Sequence, residues 1–214
     1  PVDEEAADAL RRLPQVGEHP GTHAQEHALE VQLPFLQEIL GDFSLVPLVV
    51  GQASAEQVAE VLEAVWGGPE TLILISSDLS HYHAYDEARA IDGGTVQAIL
   101  AGEALDHEQA CGATPIAGLL LAAKRHGLAP RLIDYRNSGD TAGGRDRVVG
   151  YAAFAFDEGT GGYDAGQGNI LLALARASIG AALGLNPAPA ASWDGEAWLR
   201  ECRATFVTIT LNGN

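Results

Sequence analysis

A chain of 214 residues has room for one good domain and part of another. Hydrophobic residues make up 47% and charged residues 19%, which sets disorder aside and leaves a globular chain with a core. The net charge of −17 repels nucleic acid and anionic lipid, which carry the same sign, and no apolar run reaches membrane-spanning length, so neither is an expected partner.

Residues 4–13 read as a short acidic helix. HPGTHAQEH is a polar loop. In HALEVQLPFLQEIL, the leucines Leu29, Leu33, Leu36 and Leu40 fall three and four residues apart, one face of a helix. Pro34 inside that run predicts a kink or a late helix start. FSLVPLVVG reads as a short buried strand ending at Gly51. SAEQVAEVLEAVW is an amphipathic helix with Ser54 as its cap and Glu56 in its first turn. Gly67, Gly68 and Pro69 stop it.

TLILISS is the next predicted strand, and its near-continuous apolar run suits a strand covered on both faces. YDEARAIDGGTVQAILAG is helical, weakened by Gly93 and Gly94. GATPIAGLLLAAKRHG is a further helix, with Pro115 near its first turn and Gly127 as its stop. APRLIDYRNSG and RVVGYAAFAF are strands joined by a glycine-rich loop. Strand–helix alternation predicts an α/β layered fold with a largely parallel or mixed sheet and flanking helices. Residues 157–168 read as a linker. NILLALARASIGAALG then predicts a fresh helix and TFVTITL a strand.

Two cysteines, Cys111 and Cys202, are too few and too far apart for a disulfide scaffold or a CxxC zinc site. A reducing, cytoplasmic setting is expected. The chain begins at Pro1 and has no methionine, and so reads as a piece of a longer protein.

The TLILISS strand runs into Ser77, Asp78, His81, Tyr82 and His83. Ligands gather at the carboxyl ends of strands in parallel α/β sheets. Asp78 can orient His81 by accepting a ring N–H, which leaves the other ring nitrogen free as base, acid or ligand. The plainer alternative is a capping Asp beside solvated histidines. Cys111 opens a helix, where the dipole favours a thiolate suited to nucleophile or metal ligand; a packed cysteine is the plainer alternative. Glu26 and His27 form a third polar pair, equally readable as a helix entry. Asn137, Ser138, Gly139 and Asp140 could line a pocket or simply make a turn. No G-x-G-x-x-G, G-K-[ST] or G-x-S-x-G motif occurs.

EHALEVQLPFL, VPLVVG, ILISSDLSHYH, CGATPIAGLLLAAKRHG and YRNSGDTAGGRDRVVGYAAFAF, in that order, resemble the Memo family, the AmmeMemoRadiSam system protein B chains and their relatives. The resemblance implies a fold similar to the LigB-type extradiol dioxygenases, with a metal pocket at the sheet's carboxyl edge holding iron or copper. It places Cys111 and His81 among the metal ligands, His81 and Asp78 in catalysis, and Glu26 and His27 in ligand binding; Tyr82, beside His81, would suit an aromatic contact to a bound ligand. The family's other metal-site histidines lie in P-H-A-G-Y-like and G-P-x-H-like segments that do not occur here. The tail resembles the start of system protein A, an AMMECR-type domain. The division expected is a C-terminal part of a Memo-like domain at 1–156, a linker at 157–168 and the start of the AMMECR-type domain at 169–214. A radical-SAM protein of the same system is the implied partner.

Three functions compete on these residues. The leading expectation is a metal-dependent, redox-type protein. The alternative is a non-catalytic module that binds a small ligand or a peptide. The third is a Cys–His hydrolase built on Cys111 and His81.

Overall fold

The computed structural model describes residues 1–24, 26–141, 143–157 and the backbone of 204–205. The predicted helix after the linker, most of the TFVTITL strand and Cys202 lie outside the described residues. The fold is α/β, a small antiparallel sheet with helices packed against it. Helix α1 spans Glu4–Leu10, α2 Pro20–His23, α3 Leu33–Leu40, α4 Ala55–Ala64, α5 Tyr85–Ala101 and α6 Ala113–Arg125. The strands are β1 (His81–His83), β2 (Ala129–Asn137), β3 (Val148–Asp157) and β4 (Ala204–Thr205). β3 is central: β2 pairs along one edge, while β1 and β4 pair at opposite ends of the other, all antiparallel.

The helices form where their end signals say they should. Ser54 accepts from the Gln57 N–H, and the Gln57 side chain reaches back to the Ser54 N–H, a capping box that starts α4. Pro34 sits in the first turn of α3, preceded by a 3-10 turn at Glu30–Gln32, so the late start is what forms. α5 runs unbroken through Gly93 and Gly94, where an added Cβ would meet nothing within 4 Å. Each glycine costs about 1 kcal/mol of helix propensity there. Lys124 and Arg125 complement the dipole at the end of α6, and Gly127 leaves it at φ 69°.

Two predicted strands do not form. Residues 45–51 contribute one isolated bridge, Val2 with Leu45. Residues 71–77 form no strand among the described residues and are half-buried rather than covered on both faces. Ile73, Ile75 and Val50 still pack on the core. Apolar content drew these segments inward, but a strand also requires a neighbour for its backbone groups. The expected parallel or mixed sheet is accordingly antiparallel where it is described, and the polar HYH that follows the apolar run is the segment that pairs.

The core lies between α4, α5, α6 and β3. Val58, Leu62, Leu79, Val96, Ile99, Leu119, Phe154 and Phe156 are buried in one cluster. Each contributes roughly 1.5–3 kcal/mol through burial. Ala59, Ala122 and Ala123 are fully enclosed, which lets α4 and α6 approach closely. Gly118 sits at that crossing, where a Cβ would overlap the Val58 side chain. Polar groups are buried beside the core, and among them Asp92, in the middle of α5, is 0% exposed. Burial pushes its carboxyl above the usual range, against the Ser80 hydrogen bonds and the nearby His83 and His81 rings, which pull it down.

Two outcomes follow from this packing. Gly118→Ala should cost about 1–3 kcal/mol by overpacking. Val58→Ala in the same chain should recover part of that loss, because the two side chains compete for one space; additive losses in thermal melts would refute the contact. Asp92, held protonated in the fold at pH values where the unfolded chain has released the proton, makes stability fall as pH rises from its ordinary value near 3.8. Asp92→Asn should therefore melt higher than wild type at pH 7, with the gain shrinking toward pH 4. A gain that is flat with pH would count against a buried, proton-retaining carboxyl. The groups facing Asp92 that would modulate the profile are His81 and His83 of β1 and Tyr135 of β2.

Candidate pocket and its polar edge

A cavity of about 390 Å³ opens between the entry to α3, residues 74–79, α5, α6 and β3. That is within the range of small-molecule pockets, roughly 300–1,000 Å³. Val31, Phe35, Leu74, Ile116, Leu119 and Phe154 give it an apolar wall. Glu26, His27, Ser76, Ser77, Asp78, Cys111 and Tyr151 give it a polar edge.

Cys111 and Asp78 are joined through their backbones. The Cys111 N–H donates to the Asp78 carbonyl at 3.3 Å, and the Asp78 N–H donates to Cys111 Sγ at 3.3 Å. The Ser77 hydroxyl donates to the Asp78 carbonyl at 2.7 Å and in turn accepts the Gly112 N–H at 2.8 Å. The thiol is exposed, one residue before the N-cap Gly112 of α6. His81 Nε2 lies 3.4 Å from Asp78 Oδ2, as the D-x-x-H spacing suggested, but His81 stands outside the cavity wall.

The other expected residues are scattered. Glu26 and His27 border the cavity, yet Glu26 accepts the Ala28 N–H at 2.8 Å and His27 pairs with Glu30 at 2.7 Å, the helix-entry alternative. Tyr82 is 64% exposed, outside the cavity, with the Arg147 guanidinium 4.9 Å above its ring. Its φ of 64° makes it the one non-glycine residue in the left-handed region among those described. It is the extra residue of a bulge, since His81 pairs with Val149 and His83 with Val148. Asn137 accepts the Gly139 N–H and starts a 3-10 turn, so the residue 137–140 loop is turn chemistry and not pocket wall.

Three contributors carried no expectation from sequence. Ser77 was legible only as the end of an apolar run. Gly112 is bare because a Cβ there would come 2.7 Å from Ser77 Cβ. Tyr151 enters the edge from β3, where burial first, then the Asp78 carboxylate, pushes its hydroxyl up, so it stays a hydrogen-bond donor. Among the described residues, no group of three or more His, Cys, Asp and Glu side chains converges to hold a metal ion. Asp78, His81 and Cys111 therefore do not fit a metal by themselves.

Comparison with known proteins places this architecture in a class. The family described as Memo-like protein matches residues 1–155. A MEMO1 family protein of Aeropyrum pernix is 37% identical over 145 residues, covering 61% of this chain and 52% of its own length. One from Archaeoglobus fulgidus is 33% identical over 168 residues, covering 72% and 64%. One from Methanosarcina acetivorans is 38% identical over 146 residues, covering 61% and 55%. The chain belongs to the Memo family. It spans between about half and just under two thirds of the length of these relatives. Among the described residues no helix is long and apolar enough to cross a membrane.

The edge yields a direct test. Gly112→Ala should push Ser77 aside, break the Gly112 N–H bond, and lower stability by about 1–3 kcal/mol. The rate of Cys111 alkylation by iodoacetamide should change with it. A variant that melts and alkylates like wild type would show that Ser77 and Cys111 are not held through this glycine.

Proposed function

We propose that this Memo-family chain binds a small, largely apolar organic ligand in the cavity, oriented by the Asp78–Cys111 edge. The observation that carries the reading is the cavity itself: about 390 Å³, lined mostly by apolar side chains with a smaller set of polar ones among them. Of the groups lining it, the Tyr151 hydroxyl is a donor, the Asp78 carboxylate an acceptor and the Cys111 thiol a soft centre. Tyr82, exposed beside the site, suits an aromatic contact to a ligand that extends outward, such as a peptide.

A second reading rests on the donor types. A thiol, a carboxylate and an imidazole suit iron or copper; the Asp78 carboxylate meets His81, and the Asp78 backbone N–H meets the Cys111 sulfur. These residues would be a partial set, completed by ligands from elsewhere, so no chemical step is derived through a metal. A redox or dioxygenase-like role, a radical-SAM partner and an AMMECR-type domain at 169–214 are proposals of the same standing. They rest on the likeness between these motifs and the family's. A Cys–His hydrolase has the least support, because His81 reaches Asp78 and makes no contact with the Cys111 thiol.

A neutral apolar dye such as Nile red, titrated by fluorescence, tests the first reading. Wild type should bind it, and Ile116→Trp, which fills the cavity, should weaken binding by roughly tenfold, about 1.4 kcal/mol. No binding, or equal binding by both proteins, would end the pocket reading. Elemental analysis of wild type and Cys111→Ser decides the second. Iron or copper present in wild type and lost from the variant would support it, and metal in neither would sink it.

A further inference from the structure

We propose that Asp92, buried on α5 outside the cavity wall, is a positioning residue that fixes the Asp78–His81 turn and, through it, the Cys111 thiol. The inference rests on the pocket reading, since it concerns how that pocket's edge is held.

Between Asp78 and His81 lie Leu79 and Ser80, and both are pinned. The Leu79 N–H donates to the Gly150 carbonyl at 2.9 Å, and the Gly150 N–H donates to the Ser80 carbonyl at 2.9 Å. The remaining backbone donor, the Ser80 N–H, goes to Asp92 Oδ1 at 2.9 Å. The turn is thereby tied to β3 by two bonds and to α5 by a third. The carboxyl oxygen accepts this bond whether or not the group carries its proton.

The surroundings are arranged for this side chain. Ser80 and Asp92 are both 0% exposed. Gly150 is bare where a Cβ would overlap the Asp92 carboxylate. Asn137, opposite Gly150 in the β2–β3 register, is 1% exposed. An apolar residue at position 92 would suit the helix and the core better, because a buried carboxyl opposes folding. What Asp92 supplies in return is an acceptor at the one point where the turn meets α5. Downstream, the placed Asp78 N–H is the donor to Cys111 Sγ.

The test is the alkylation rate of Cys111 by iodoacetamide in the full chain with Cys202→Ser, well below the melting temperature. Asp92→Ala should release the turn, lose the Asp78 N–H contact to sulfur, and slow alkylation by about three- to tenfold, the size of one lost hydrogen bond. Asp92→Asn keeps a carbonyl oxygen for the Ser80 N–H and should restore a rate within about twofold of wild type. Gly150→Ala, which displaces the carboxylate without removing it, should slow the reaction as Asp92→Ala does, and it stands in should that variant fail to fold. A merely structural role would lower the melting temperature of Asp92→Ala and leave the rate of the folded protein unchanged. That result, or an Asp92→Asn as slow as the alanine variant, would overturn the proposal. The assay uses no ligand, so failure of dye binding would refute the pocket reading while leaving this result to stand or fall alone.

Discussion

The polar edge depends on a short stretch of backbone, Leu79 and Ser80, exchanging hydrogen bonds with Gly150 of β3. The segment before it makes no ladder of its own among the described residues, and β1, after it, is only three residues long. Without the Gly150 contact, Asp78 and His81 would sit on a loop free to choose among conformations. Ordering that loop costs about 1–2 kcal/mol per residue in backbone entropy. With the contact, the central strand of the sheet becomes the ruler against which the candidate groups are placed. Leu79 contributes an apolar anchor at 3% exposed, and its neighbour Ser80 a hidden polar one.

The cavity and the core share one wall. Ile99, Leu119, Phe154 and Phe156 belong to the buried cluster and also line the cavity. Stability and site shape are therefore coupled: a substitution that repacks the α6–β3 contact changes the space a ligand would occupy. The polar edge is supported differently, by backbone donors and acceptors that a side-chain substitution cannot easily remove. Cys111 and Asp78 hold one another largely through main-chain groups, so their relative position is tolerant of change at other surface positions.

The helices were legible because their information is local. A capping serine, a three-and-four leucine spacing and a terminal glycine lie within a few residues of what they specify. Ser54, Pro34 and Gly127 each did what their chemistry implied. Strands were less legible because pairing is not local: LILI carries the apolar run of a buried strand, yet HYH, which carries none, is what pairs with β3. Of the candidate site, the Asp78–His81 proximity and the place of Cys111 before α6 could be read from spacing. The link between Cys111 and Asp78, 33 residues apart, could not. Nor could Asp92 or Gly112, since an aspartate before two glycines inside a helix looks like an ordinary polar turn, and a glycine beside a helix start looks like an ordinary cap. Their meaning comes from Gly150 and Ser77, which only the fold brings near.

The bulge at Tyr82 has a consequence for the two histidines beside it. Side chains two residues apart on a regular strand point the same way, so His81 and His83 would form a same-side pair. The extra residue breaks that parity. His81 is in register with Val149 and His83 with Val148, so two steps along β1 answer to one step along β3. One joins Asp78, and the other lies 3.4 Å from Glu87 on α5. A single backbone residue in an unusual conformation thus resets the spacing of two rings against β3, and each imidazole has a carboxylate of its own, Asp78 for one and Glu87 for the other.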